Sequence, residues 1–412
     1  MSLANKGISL EKLWKGEARQ KPELMEQAVR GLMDEDQMKA AGLKAIEPMD
    51  FSIRELLDFC LMVDRGKRVG QVANLAEEVA VSQFPTLTAT LLEKELIKAF
   101  DLVPTIADQL VDPFKSTQQN STVPGADLTS TFHDIEPGER YRHDADIAEK
   151  YVTIAGSKRG AILDVQEESV IFDQTGLVLR EAARFGRQAA MDREKRMLYT
   201  IQDATVSGTN YYAYYPSGTR VALYSGTVAT THPYSNLMDH ALQHWTDIDR
   251  ARVMFSAMRD PQGDPIVISP KILLVPEALK TVANRLISNT MMPAARVGQT
   301  RVGDSQMEAN PYANAFQVIS SPFLDIVDSR TWYLGDFKSQ FLLKQVYPLQ
   351  VLVRRDKTND AAWERDVLVS TKVRWWEQVG ATDYKYVVKS RGTYGTCGVG
   401  SYCTSWDEAE VP

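Results

Sequence analysis

The sequence predicts an α+β fold. Three features carry that reading: helix-spaced apolar residues in short pieces before about residue 100, one long proline-free helix after a glycine-framed pair of strand-like runs, and a series of short strands toward the C-terminus.

Residues 1–80 are rich in charge. Leu24, Val29, Leu32 and Met33 mark one short helix, and Ile53, Leu56, Leu57, Cys60 and Leu61 mark another. Pro22, Pro48, Gly66 and Gly70 interrupt the pattern, so neither piece buries much by itself and the segment reads as a helical arm lying on other surfaces. A third helix runs from Leu87 to about Leu102, with apolar residues at Leu91, Leu92, Leu96, Ala99 and Phe100. From Phe114 to Asp127 the chain turns polar and reads as a loop closing on Pro124-Gly125. Tyr151–Ile154 and Ala161–Val165 then read as two strands joined by Gly156-Ser-Lys-Arg-Gly160, a long hairpin whose tip carries Lys158 and Arg159.

Leu177–Ile201 is the clearest helix. It lacks proline, is rich in good helix formers, and keeps Leu179, Ala183, Gly186, Ala190, Met197 and Ile201 on one stripe. At 1.5 Å per residue it makes a rod of nearly ~40 Å, and its small central residues admit a close neighbour. Tyr211–Thr231 reads as strands and Ser235–Ala257 as a helix. Pro265–Pro270 and Ile272–Val275 read as a buried strand, with Pro276 opening a helix that carries Leu279, Val282, Ala283, Leu286 and Ile287. Residues 289–312 form a loop without clear period. Short strands follow at Phe316–Ile319, Trp332–Leu334, Phe341–Leu343, Val351–Arg354 and Asp366–Trp376, and the tail after Ser390 is rich in glycine and tyrosine.

Composition narrows the function classes. A chain of 412 residues, 44% hydrophobic and 25% charged, is expected to be a soluble folded protein of two or three units plus extended segments. The longest apolar stretches, Val267–Val275 and Phe341–Val353, fall well short of the roughly 20 residues that span a bilayer. The start Met-Ser-Leu-Ala-Asn-Lys leads into no apolar run, so no signal peptide is read and synthesis in the cytoplasm is expected. A net charge of -7 argues against a protein that holds nucleic acid by neutralising phosphates. Cys60, Cys397 and Cys403 do not make a secreted disulfide framework; Cys397 and Cys403 could close a small loop, with two free thiols as the ordinary alternative.

The order of parts resembles the major capsid proteins of tailed bacteriophages. Phrases that carry the likeness are Ser82-Gln-Phe-Pro85, Tyr151–Val165, Ile268–Pro276, Asn310-Pro-Tyr312, Ser320–Leu324, Trp332-Tyr-Leu334 and Val373–Asp383, collinear over more than 300 residues. The resemblance implies the tailed-phage capsid fold, in segments: a helical arm (1–80), an N-terminal helix and linker (81–138), an extended hairpin loop (139–173), a spine helix with the first part of a peripheral domain (174–269), an axial domain (270–349), return strands of the peripheral domain (350–389) and a tail (390–412). It implies a homo-oligomer of hexamers and pentamers in an icosahedral shell around double-stranded DNA, assembled in the host cytoplasm and located in the virion. Further partners it implies are a prohead protease, scaffold, portal and decoration proteins. An encapsulin-like compartment shell shares the fold and stands as the nearest alternative. Some members cross-link through a lysine on the extended loop, where Lys158 stands; the asparagine partner and acidic helper are not matched, and a solvated turn lysine is the ordinary reading.

Other constellations read more simply as structure. His240 and His244 stand i, i+4 on the expected helix, a zinc-ligand spacing with Asp239, Asp247 or Asp249 as a third ligand, yet Ala241 occupies the place of the general-base glutamate. A zinc-dependent hydrolase on these two histidines is the reading of another class. His133 and His143 lie among Asp134, Glu136, Glu139, Asp144 and Asp146, ordinarily a charged surface run. Nucleotide fingerprints are absent. No catalytic, cofactor or metal residue is assigned. The assembly candidates are Lys158 and Arg159 at the hairpin tip and Arg184, Arg187, Asp192 and Arg196 on the long helix, where local ion pairs such as Asp192 with Arg196, i, i+4, are the ordinary reading and salt bridges between subunits the functional one.

Overall fold

The computed structural model describes residues 84–128, 147–172, 177–203, 212–214, 220–226, 234–259, 264–293, 307–354 and 367–392, together with isolated positions at 53, 56, 57, 60, 61, 134, 135, 137 and 140. In chain order the elements are α1 (Phe84–Asp101), β1 (Asp112–Lys115), β2 (Asn120–Leu128), β3 (Ile147–Ala155), β4 (Arg159–Gln166), α2 (Glu167–Ile171) and α3 (Leu177–Gln202). Next come β5 (Tyr212–Tyr214), β6 (Arg220–Ala222), β7 (Leu237–Met238), α4 (Trp245–Ala257), β8 (Ile272–Pro276), α5 (Lys280–Ser288), β9 (Met291–Pro293) and β10 (Met307–Ala309). The chain closes with β11 (Gln317–Ser321), α6 (Pro322–Asp325), β12 (Trp332–Gly335), α7 (Phe337–Gln340), β13 (Phe341–Arg354), β14 (Val367–Ala381) and β15 (Val387–Ser390). The α+β class is therefore observed directly.

The chain divides into two compact units: residues 1–105, 157–193 and 347–376 make the first, and residues 106–156, 194–346 and 377–412 the second. Three of the five boundaries fall inside α3, β13 and β14.

In the first unit β4 pairs antiparallel with β14, from Gln166 opposite Val367 to Arg159 opposite Trp375. A small core gathers Leu96, Ala189, Val373 and Trp375, with Phe100, Phe185, Leu349 and Val351 against it. The two helices approach closely at Gly186: a Cβ built there would lie 2.5 Å from the Leu96 carbonyl oxygen and 3.2 Å from the Ala99 Cβ. The small residues midway along α3 thus receive α1, as their size foretells.

The second unit is built on a five-stranded sheet ordered β11-β8-β12-β15-β7. β8 pairs parallel with β11 and antiparallel with β12. Every residue of β8 and β12 is buried, because both faces are covered, and that is why these strands read as unbroken apolar runs. On one face Leu273, Val275, Trp332, Leu334 and Val388 pack with Ile248, Ala251 and Phe255 of α4 and Ala283, Leu286 and Ile287 of α5. On the other, Leu274, Tyr333 and Val387 join Met197, Leu198 and Ile201 of α3 and Phe337 and Phe341. The alternation follows from successive side chains pointing to opposite faces.

Several expectations are corrected here. The runs Tyr151–Ile154 and Ala161–Val165 do not pair with each other: β3 pairs antiparallel with β2, and β4 pairs with β14. Thus 120–128, expected in a loop, is a strand; its polar residues are held by the backbone ladder and not by an apolar pattern. Residues 235–244 are not helical, since α4 begins at Trp245 after the short β7. Residues 266–270 form no strand, and Val267 is 93% exposed. Phe341–Leu343 and Val351–Arg354 belong to one strand, β13, and the ends of the 289–312 segment pair as β9 and β10. The first arm helix, most of residues 1–83, the tail beyond Gly392 and the cysteines Cys397 and Cys403 lie outside the described residues; Cys60 is buried.

Candidate assembly surface

α3 buries one stripe and presents another. Leu179, Ala182, Ala183, Gly186 and Ala190 face inward, while Arg180, Glu181, Arg184, Arg187, Gln188 and Met191 are exposed. The inward set recurs every three or four residues, which leaves the charged positions on the opposite side. Arg184 meets Glu181 one turn earlier at 3.8 Å, whereas Arg187 has no ion-pair partner among the described residues.

The structure brings two of the six candidates together. Arg159 at the start of β4 reaches Asp192 of α3 at 3.6 Å, both side chains about two-fifths exposed. A pair so wet contributes at most about 1 kcal/mol, so its use lies in setting the position of the chain at Arg159. Lys158, the preceding residue, is exposed. Arg196 belongs to the second unit, where its carbonyl accepts a hydrogen bond from the Thr200 hydroxyl at 3.2 Å.

Sequence reasoning missed the exposed apolar residues of the first unit. Ile162, Phe172, Leu177 and Met191 are all exposed, Phe172 at 75%. Ile162 looks like a core residue because it sits in a β run, and only the pairing of β4 shows which of its faces is open.

The two histidines do not form a zinc face. His244 precedes α4 as its N-cap, where the Asp247 carboxylate accepts from the His244 backbone N–H at 2.9 Å and from that of Gln243 at 3.1 Å. His240 lies before it in extended chain. Its ring Nδ1 accepts from Arg250 at 3.1 Å, and its carbonyl accepts from Trp332 Nε1 at 2.9 Å and Ser390 Oγ at 2.5 Å. With the ring engaged by a guanidinium, His240 is a poor metal ligand. Among the described residues no group of three His, Cys, Asp or Glu side chains could hold a metal ion. His133 and His143 lie outside the described residues.

Desolvation, and after it the Arg250 charge, lower the His240 pKa below its ordinary value of 6.5, against the opposing pull of Asp247 and Asp239. The folded chain therefore favours neutral imidazole. Its contribution is complete above the unfolded pKa and is lost as pH falls from about 6.5 toward the lower folded value. The midpoint of thermal unfolding is expected to fall over that window, and less so in His240→Gln; equal slopes in the two proteins would contradict this.

The chain has these similarities to known proteins. A family model described as "Phage capsid protein" matches residues 150–390. No curated protein matches the chain. Among solved structures, the capsid of a native GTA particle is 10% identical, with 71% of this chain and 92% of that chain covered and a TM-score of 0.46. A structure from Microbacterium phage Oxtober96 is 11% identical, covers 71% and 91%, and has a TM-score of 0.44. A virus-like particle from Pyrococcus furiosus is 10% identical, covers 73% and 97%, and has a TM-score of 0.38. Among the described residues no helix is long and apolar enough to cross a membrane.

Proposed function

The chain belongs to the phage capsid protein family, and from that premise we propose that it is the major capsid subunit, assembling into hexamers and pentamers of an icosahedral head around double-stranded DNA. The match over more than half of the chain carries the proposal. The role is structural. A closed shell needs one chain to make the same heterologous contacts many times, and the open faces of α3, β4 and α2 supply contact area without a catalytic centre. The acidic balance suits a shell that encloses DNA without sequence-specific binding.

In this reading α3 is the spine, and 1–80 and 390–412 are the extensions that make contacts with neighbouring subunits. The axial domain spans about 270–349, and the segments on either side make up the peripheral domain. Lys158, Arg159, Arg184, Arg187, Asp192 and Arg196 contribute polar contacts between subunits. Assembly takes place in the host cytoplasm, and prohead protease, scaffold, portal and decoration proteins are its candidate partners.

Expression of the full chain, followed by negative-stain electron microscopy, is expected to show closed particles of tens of nanometres. A chain that stays monomeric in every condition, with or without a scaffold, would overturn the proposal. Particles that hold protein cargo and exclude DNA during infection would identify a compartment shell instead. Arg187→Glu tests the candidate surface: as an exposed substitution it should leave the unassembled chain within about 0.5 kcal/mol of the parent while lowering particle yield at least tenfold. Unchanged yield removes Arg187 from the interface.

A further inference from the structure

The second unit contains a cavity of about 210 Å³ that the assembly reading does not use. It is lined by Gln202 at the end of α3, Leu324 and Val327 after β11, Asp328, Thr331, Tyr333 of β12, and Lys389 and Arg391 at the end of β15. An apolar cavity of about 150 Å³ holds a benzene molecule, so this one has room for a polar head on a stem of a few carbons.

Its wall is chemically unbalanced. The Lys389 ammonium spends one N–H on the Gln202 backbone carbonyl at 2.7 Å and lies over the Tyr224 and Tyr333 rings, 5.2 and 5.7 Å from their centres. Among the described residues no carboxylate oxygen lies within ion-pair distance of it. Burial lowers its pKa, while Asp203 and Asp328, acting at longer range, pull the other way and Arg391 adds to the lowering. Arg391, more than half exposed, reaches Asp239 only at 3.8 Å. The Gln202 side chain is 2% exposed, and neither its carboxamide nitrogen nor its oxygen has a hydrogen-bond partner. Asp328 is already used: it accepts from the Thr331 hydroxyl at 2.6 Å and from the Arg330 N–H at 3.0 Å.

We propose that this cavity is a binding site for a carboxylate carried on a short aliphatic stem. The lining holds two cations and one anion, which matches a single negative charge better than a phosphate dianion. The carboxylate oxygens accept from Lys389 and Arg391 as charge-assisted hydrogen bonds. Rotation of the Gln202 side chain toward the cavity gives its N–H the acceptor it lacks. Leu324, Val327 and the Tyr333 ring take the methylene stem. Such a group has two sources, an acidic side chain of a second copy of this chain or a free aliphatic acid. Only the first source rests on the assembly reading.

Carbodiimide treatment separates them, because it converts a carboxylate held against a lysine into an amide. Unassembled chains treated with deuterated butyrate are expected to carry the butyryl group on Lys389 at least tenfold above exposed Lys158, as read by peptide mass spectrometry. Particles assembled from a mixture of nitrogen-14 and nitrogen-15 chains are treated without added acid. A mixed-isotope amide from Lys389 to an aspartate or glutamate identifies the second copy as the source. Butyryl-Lys389 both in unassembled chains and in a second sample of particles treated with added butyrate, with no mixed-isotope amide in the particles treated without it, identifies the free acid. Amides from Lys389 only to Asp203 or Asp328 of its own chain, or no enrichment over Lys158, would overturn the proposal. The butyrate arm stands even where no particles form, so failure of the site and failure of assembly are told apart. As a second reading, butyrate at fixed ionic strength should raise the thermal midpoint of the native chain and leave that of Lys389→Met unchanged.

Discussion

Asn236→Ala is expected to destabilise the unassembled chain by about 3 to 5 kcal/mol, measured as the free energy of urea unfolding. Asn236 is fully buried, and its side chain satisfies three backbone groups. Its Nδ2 donates to the Leu223 carbonyl at 2.7 Å and the Tyr384 carbonyl at 2.8 Å, and its Oδ1 accepts from the Ser225 N–H at 2.8 Å. Alanine strands all three, each at roughly 1 to 3 kcal/mol, offset in part by local relaxation. Asn236→Asp keeps the acceptor for Ser225 but turns an anion toward two carbonyls, so it should be worse than alanine. A loss below about 1 kcal/mol for Asn236→Ala would show that water replaces the amide and that the bracket is not needed.

Asn310 is built the same way, donating to the Leu286 and Asn289 carbonyls at 2.6 and 2.8 Å and accepting from the Tyr312 N–H at 3.0 Å. The comparison shows what the sequence reveals. Asn310-Pro-Tyr312 is visible as a phrase of the family resemblance, yet its work as a bracket depends on carbonyls more than twenty residues away. Asn236 carries no such mark. It sits in a stretch that reads as helix, because Leu237, Ala241 and Leu242 have helical spacing, while tertiary bonds to 223–225 and 384 hold the backbone extended.

The same distinction runs through the fold. α3 was legible almost to its ends because propensity, an absent proline and a buried stripe all agree. β8 and β12 were legible as buried runs, though not their order in the sheet. β2 was not, since Asn120–Val123 has no apolar alternation and gains its structure from a partner more than twenty residues on. β13 reads in the sequence as two short strands, Phe341–Leu343 and Val351–Arg354; in the structure they are one, with Pro348 exposed within it. Of the candidate surface, the charges of α3 were legible from helical spacing. The Arg159–Asp192 pair was not, because it depends on β4 pairing with β14 and not with β3.

Gly186→Val should cost about 3 kcal/mol in the unassembled chain, whereas Gln188→Ala, two residues on and exposed, should stay within about 0.5 kcal/mol. Helical propensity alone predicts the opposite sign, since glycine in a helix interior is worse than alanine by about 1 kcal/mol. Close approach decides against propensity. The atom nearest the added Cβ is a backbone oxygen of α1, which cannot swing aside like the end of a flexible side chain, so α1 must move as a body and take Leu96 and Ala99 with it. Gly186→Ala then measures the balance: net destabilisation means the contact outweighs the propensity gain, and net stabilisation would show that α1 yields freely. Because Leu96 also belongs to the core with Val373 and Trp375, a displaced α1 should loosen β14 as well. Faster hydrogen exchange at Val373 and Trp375 in Gly186→Val, with Gln188→Ala unchanged, is the expected sign that the two helices and the sheet behind them hold together as one packed body.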